Sequence, residues 1–425
     1  MPVPSTSVKW MHSAMPGAPV LDNNWGDLTA LLRACAVNGF NVKPIQAITC
    51  NGTTATVQCS GHGYLEHQVV KIEGAEPAGY NGEHRIVSVV DGNTVTIELA
   101  AGLAPATQAA GQTLQMRAAP LGFEQLFSSE NKLVLRSTNP QSPRNVLRVD
   151  DSLPAGYTTT WAKFARVTMA QGMSDIDTFI GARAPFDPLN PTKNEVPSGS
   201  GTSGYYGWYK WYYARNSDSN IADTSAPVVG QRAWALIGDD RGFYLLVRPA
   251  VSSLASSVLC GFVDFDSLQP ADAYSTVLAA YDNYITAATA FQNYSKTPLV
   301  KGSTTDGVVL MRDYLGEGGN VNAGSISLDV TGTSGFDSGI STVPFPNGPG
   351  NGLLLHPMWL QQSNQHIRGR LRGILSVLHT HTLGDRAIVS NIPGLPGRKI
   401  LLVAVPSRIG FVGSVAFDIT GPWGS

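Results

Sequence analysis

Along most of this chain apolar and polar positions alternate with a period of two, the pattern of half-buried strands. One early stretch departs from it. Trp25, Leu28, Leu31, Leu32 and Cys35 recur at helical spacing, with Asp22, Asn23 or Asn24 available as an N-cap and Asn38-Gly39 as the stop. The spacing predicts one short helix behind an N-terminal arm, residues 1–44. From Ile45 the alternation sets in. Ile45–Cys50 and Thr54–Cys59 flank Asn51-Gly52, a strong hairpin signal. Gln68–Ile72 and His84–Val90 follow, and Asp91-Gly92-Asn93 turns the chain into Thr94–Leu99. These short strands predict a small inserted β-barrel-like domain over residues 45–117, with an Ala/Gly-rich return link at Ala100–Gly111.

Beyond the insert, Leu133–Arg136, Val146–Val149, Ala233–Ile237, Phe243–Val247 and Val258–Phe265 read as strands of a central β domain, residues 118–299. Ala271–Ala287 reads as a second helix. Residues 181–204 and 300–352 are rich in Gly, Pro, Ser, Thr and Asn and predict long loops. Residues 353–425, with strands at Lys399–Val405 and Val412–Ile419, are expected to complete the main body. The pattern therefore predicts a mainly β, multi-domain chain of β-sandwich and β-barrel architecture, with one or two short helices and long loops.

Composition sharpens this picture. Charged residues make up 14% of the 425 positions, against about 25% in ordinary soluble domains. Glycine and proline are abundant, at 45 and 27. A surface this poor in charge suits packing against other subunits. The formal charge of −2 gives no electrostatic footprint for nucleic acid. The densest basic stretch, Arg368–Arg372, holds three arginines, which is what salt bridges ordinarily use. No apolar run approaches the ~18 residues that cross a bilayer, so membrane insertion is not expected. The start, Met1-Pro-Val-Pro-Ser-Thr, lacks the basic and apolar regions of a signal peptide. Four cysteines, at 35, 50, 59 and 260, show no metal-site spacing. Cys50 and Cys59 flank the hairpin and could face each other, but buried free thiols suit a reducing cytoplasm better.

Candidate chemistry is sparse. Gly199-Ser-Gly201-Thr-Ser-Gly204 has the spacing of a dinucleotide loop, without the strand before it and helix after it that the mechanism needs. His379 with His381, and His62 with His67, lack a third and fourth metal ligand. Asp264 and Asp266, with Asp239 and Asp240 nearby in sequence, are carboxylates of the kind a glycosidase uses, but sequence supplies no cleft for them. No catalytic, cofactor-binding or metal-binding residue is assigned, and no enzyme activity is expected. The densest feature is aromatic: Tyr205, Tyr206, Trp208, Tyr209, Trp211, Tyr212 and Tyr213. Rings on both faces of one strand suit a core on one side and a subunit interface on the other, with sugar stacking as the alternative.

Two stretches resemble a family of tailed-bacteriophage virion proteins. Trp10-Met-His-Ser-Ala-Met15-Pro-Gly17-Ala-Pro19, followed by Leu28 to Phe40 with its Asn38-Gly39-Phe40 ending, is similar to the opening of these proteins. Arg370-Leu-Arg-Gly373, then Gly394 and Gly397-Arg398-Lys399-Ile400-Leu401, then Phe417-Asp418-Ile419-Thr420-Gly421-Pro422-Trp423, is similar to their closing segment. Met173-Ser-Asp-Ile-Asp177 resembles a stretch of their middle. The insert looks like the family's inserted β domain, itself loosely like the first catalytic-cysteine half-domain of ubiquitin-activating enzymes. That likeness concerns fold alone, so Cys50 and Cys59 inherit no thioester role. The resemblance implies a structural subunit of the virion, in the tail or baseplate, assembled in the host bacterial cytoplasm. Its implied partners are other virion proteins and copies of itself, as a homo-oligomer. The alternative is an adhesin that binds a host receptor or surface glycan. A polysaccharide-degrading enzyme is the third reading, and it needs paired carboxylates on a sugar-sized groove.

Overall fold

The computed structural model describes residues 3–195, 209–216, 224–251, 257–282, 299, 307–326, 345–363, 365–379, 381–406 and 412–424. Among these the chain is mainly β, with a twelve-stranded sheet, two seven-stranded sheets and a two-stranded ribbon.

The helix runs over Asp27–Leu32 and widens into a π turn, Arg33–Asn38, which ends at Gly39 with φ 75°. Its cap differs from the sequence expectation. Gly26 is the N-cap, and Asp22 and Asn24 donate their backbone amides to the Asp27 carboxylate rather than capping the helix. The cap comes instead from 125 positions away: Asp151 Oδ2 accepts the amides of Gly26 at 2.9 Å and Leu28 at 3.0 Å. Buried apolar side chains at Leu28, Leu31, Leu32, Cys35 and Ala36 seat this element on the main core.

One seven-stranded sheet comprises Phe40–Pro44, Gln115–Ala118, Val69–Glu73, Gly82–Asp91, Thr94–Glu98, Thr54–Gln58 and Ala47–Asn51, in that order. Its two edge strands are consecutive in the chain. At their joint the Ile45 amide donates to Leu114 and the Gln46 amide donates to Gln58, so the sheet closes on itself. Its interior holds a hydrophobic cluster running from Ile45 to Met116. Because Asn51 pairs with Thr54, the hairpin turns on Gly52-Thr53, one residue later than expected. Cys50 therefore lies opposite Ala55, and it does not face Cys59.

The other seven-stranded sheet is an open half-barrel: Phe123–Ser129, Lys132–Ser137, Val146–Asp150, Lys163–Met173, Tyr209–Ala214 and Tyr281–Asp282, with Phe179–Ala184 also paired to Lys163–Met173. In the twelve-stranded sheet Val258–Ser267 does two jobs. Gly261–Asp264 pairs with Thr276–Ala279, and Phe265–Ser267 pairs with Gly369–Leu371. The second pairing closes a ring through Thr276–Ala279, Val308–Leu310, Val321–Ile326, Leu355–Gln362 and His366–Val377. Gly369 is required at the crossing, because a Cβ there would sit 2.2 Å from the Asp266 carbonyl oxygen. Two wings leave the ring. One carries Gly242–Val247, Trp234–Asp239 and Lys9–His12; the other carries Val412–Asp418, Ile400–Pro406 and Ile388–Val389.

Two expectations are corrected here. No helix forms in the described part of 271–287: Thr276–Ala279 and Tyr281–Asp282 are strands, and Thr276–Ala279, buried on both faces, carries no alternation to read. Residues 300–352 are not simply loop, since Val308–Leu310 and Val321–Ile326 are two staves of the ring.

Candidate functional site

Tyr209, Trp211, Tyr212 and Tyr213 lie in the strand Tyr209–Ala214, all six of whose residues are buried. Tyr205, Tyr206 and Trp208 lie outside the described residues. Strand alternation sends Tyr209, Trp211 and Tyr213 into the main core and Tyr212 into a small aromatic cluster on the opposite side. Trp211 donates its indole N–H to Ala279 at 2.9 Å, tying the half-barrel to the ring. The Tyr213 hydroxyl lies 2.7 Å from both the Asn24 carbonyl and Asp151 Oδ1, joining the strand to the start of the helix. On the other side Tyr212 meets Phe164 edge-on at 5.4 Å, and Phe164 meets Trp25 and Tyr157 in the same manner. The Lys210 ammonium sits 4.3 Å above the Phe164 ring, and Lys163 lies 5.4 Å from Trp25. Tyr209, Trp211, Tyr212 and Tyr213 are at most 3% exposed, so none of these four offers a face to a sugar. They form a seam between two sheets.

Of the acidic candidates Asp239 and Asp264 are buried, while the Asp266 side chain is 30% exposed. Asp264 accepts the Thr276 hydroxyl at 2.8 Å and Arg241 at 3.3 Å. Asp239 holds Arg372 at 2.8 Å, and Asp266 takes Arg370 at 2.9 Å. Burial raises the Asp239 and Asp264 carboxyls above the usual range, against the pull of their arginines. Each arginine of the Arg368–Arg372 stretch has a carboxylate partner, with Arg368 on Asp272 and also bonded to Gln362. Among the histidines, His379 accepts the Leu354 amide and His62 accepts the Tyr64 amide. Among the described residues no group of three His, Cys, Asp or Glu side chains could hold a metal. The four cysteines are free, and burial pushes the Cys59 thiol up to about 11 and those of Cys35 and Cys260 higher still.

Sequence gave no sign of the joint that binds arm, insert and C-terminal tail together. Arg85, an ordinary residue within Gly82–Asp91, is 5% exposed. Its guanidinium donates to the carbonyls of Ser5 at 2.7 Å, His67 at 2.6 Å, Val8 at 3.0 Å and Thr420 at 3.4 Å. Burial lowers its pKa to about 10. Lys9 and Glu83 form an ion pair at 2.9 Å beside it. At the tail, Trp423 lies against Gly373, where a Cβ would fall 1.9 Å from the indole, and Arg372 donates to the Trp423 carbonyl at 2.7 Å.

Exposed apolar side chains gather in several places, Val87, Val89 and Val90 on the insert strand Gly82–Asp91 among them. Val20, Val228, Val229 and Val251 surround the buried Arg232, which bonds the carbonyls of Val228, Gly230 and Pro249 while its own amide donates to Leu21. Leu268, Leu315, Ile367 and Tyr314 lie at one rim of the ring, where Leu268 bonds Arg368 and Tyr314 packs on His366 at 4.4 Å. The insert carries a shallow polar groove of roughly 530 Å³, lined by Lys71, Glu73, Asn81, Gln112 and Gln115 among others. Glu73 there is held by Lys71 and Arg117, which lower its carboxyl to about 2. No protein-family model matches the chain, and no curated protein matches it.

Proposed function

We propose that this chain is a structural subunit of a bacteriophage virion, in the tail or baseplate, acting through interfaces with other virion proteins and with copies of itself. The observation that carries this reading is the distribution of polarity. Arginine–carboxylate pairs are buried as braces, Arg372–Asp239 and Arg166–Asp150 between strands and Arg368–Asp272 between a strand and the turn before Thr276–Ala279. Meanwhile Leu189, Val229, Leu268 and Leu315 stand at 95%, 84%, 62% and 61% exposure. A surface that spends charge inside and shows apolar side chains outside suits one that is covered on assembly. The opening and closing segments, Trp10–Pro19 and Phe417–Trp423, resemble those of virion proteins and support the same reading. A density map of purified particles from cells making this chain tests it. The expected result is ordered density for this fold at fixed copy number, with both valine and leucine groups in contact with neighbours. Particles that are complete without the chain would overturn the proposal.

A further inference from the structure

The two terminal strands of the twelve-stranded sheet, Lys9–His12 and Ile388–Val389, are farthest apart in strand order yet joined by a side chain. Arg386, in the loop ahead of Ile388–Val389, donates from Nη1 to His12 Nδ1 at 3.2 Å. The backbone amide of Ala14 donates to that same nitrogen at 3.2 Å. We propose that His12 is an acid-sensitive latch: its Nδ1 lone pair holds the C-terminal wing against the first strand, and protonation releases it.

The geometry supplies the mechanism. A guanidinium can only donate, and so can an amide, so Nδ1 must be unprotonated for either bond to exist. A proton on Nδ1 removes the acceptor for both donors at once and places an imidazolium beside a guanidinium. The charged groups that act on the ring, Arg386 and Asp385, both come from the loop; Arg248, just past Gly242–Val247, grips Asp385 at 2.5 Å. The paired strand Trp234–Asp239 places only Ala235 opposite His12. Asp385 could attract an imidazolium, but it is already held by Arg248, Arg386 and the Ala404 amide. Burial first, and Arg386 second, push the His12 ring down to about 4. Arg386 has little room to withdraw inward. The void between the wings, bordered by Trp234, Arg248, Arg386 and Val403, measures about 10 Å³, barely one water. Arg386 is 26% exposed, so its way out is toward solvent, and the loop that carries it loosens with the Arg386–Leu402 and Ala404–Asp385 bonds that fix the wing.

Hydrogen exchange followed by mass spectrometry, corrected for intrinsic rates, tests the latch on the full chain. Peptides within 384–404 should lose about tenfold protection between pH 6.5 and about pH 3.5, while peptides of the ring keep theirs. His12→Asn, whose side-chain oxygen can accept the same bonds at any pH, should abolish that local loss. In a ¹³C-histidine titration, Arg386→Met should raise the His12 pKa from about 4 toward 6.5. Unchanged protection in the wild type, an equal loss in His12→Asn, a loss spread evenly over all peptides, or an unmoved pKa would each overturn the proposal.

Discussion

Asp151 shows how much a single buried acceptor can organise. Its two oxygens receive the amides of Gly26 and Leu28 and lie beside the Tyr213 hydroxyl, in a site where burial pushes the carboxyl well above its usual range. Asp151→Ala leaves these donors buried without an acceptor, at about 1–3 kcal/mol each. We expect the variant to lose about 3 kcal/mol or more in urea unfolding, and Asp151→Asn to lose less because one oxygen remains. Gly373 is the steric counterpart. Its φ of +72° and the indole at 1.9 Å from a would-be Cβ leave alanine no place. Gly373→Ala should expel Trp423 and cost about 3 kcal/mol, visible as a red shift in tryptophan emission. Lys163 gives a pH signature. Burial, with Arg232 behind it, lowers its ammonium from 10.5 to about 8. Between those values the unfolded chain binds the proton and the folded chain does not, so this residue makes stability rise as pH climbs from 8 to 10.5. Lys163→Met should flatten that slope in pH-dependent denaturation; an unchanged slope would assign it to other groups.

At the scale of elements, the sequence was legible wherever one face of a strand meets solvent. Thr54–Gln58 and Thr94–Glu98 alternate cleanly, and their positions follow from their patterns within a residue. Lys163–Met173 left no alternation to read, because residues 163–170 are buried on both faces. The aromatic run read as a strand, and Tyr209–Ala214 is one, but the placement of its four described rings depended on partners far along the chain, such as Ala279 and Asn24. The Arg85 joint was invisible, since a carbonyl cage made from residues 5, 8, 67 and 420 leaves no local trace. The insert is different. Its cluster draws on Ile45 through Met116 only, and its edges meet at Ile45-Gln46. The sheet takes in Phe40–Pro44 as well, so the unit to express alone is residues 40–118, which should give a β-type circular dichroism spectrum and unfold cooperatively. A disordered fragment would show that the contacts of Arg85 with the arm and tail are needed for folding.

At the scale of the whole molecule, rigidity and stickiness are separated. The ring, the half-barrel and the insert are tied by buried bonds from Trp211, Asp151 and Arg85, so the body should move little on assembly. Exposed valines and leucines gather around Arg232 and at the rim marked by Leu268, Leu315 and Ile367, with others on the insert at Val87, Val89 and Val90. If the rim is an interface, it should act in the isolated protein as a concentration-dependent contact. An apolar contact of standard size buries about 1,600 Å², enough for micromolar or tighter association when well packed. Sedimentation velocity of the full chain should thus show self-association that rises with concentration and persists in high salt, since screening weakens ion pairs and leaves apolar contacts intact. The double variant Leu268→Glu and Leu315→Glu places charge on two side chains already exposed to water. It should leave the thermal midpoint within a few degrees, because surface substitutions cost about 0.5 kcal/mol or less. Its association should fall at least about tenfold, as each desolvated carboxylate would need a partner the rim was not built to give. If wild type and variant are both monomers at every concentration, the rim is not a homotypic surface, and its occupant in the particle must be a different protein.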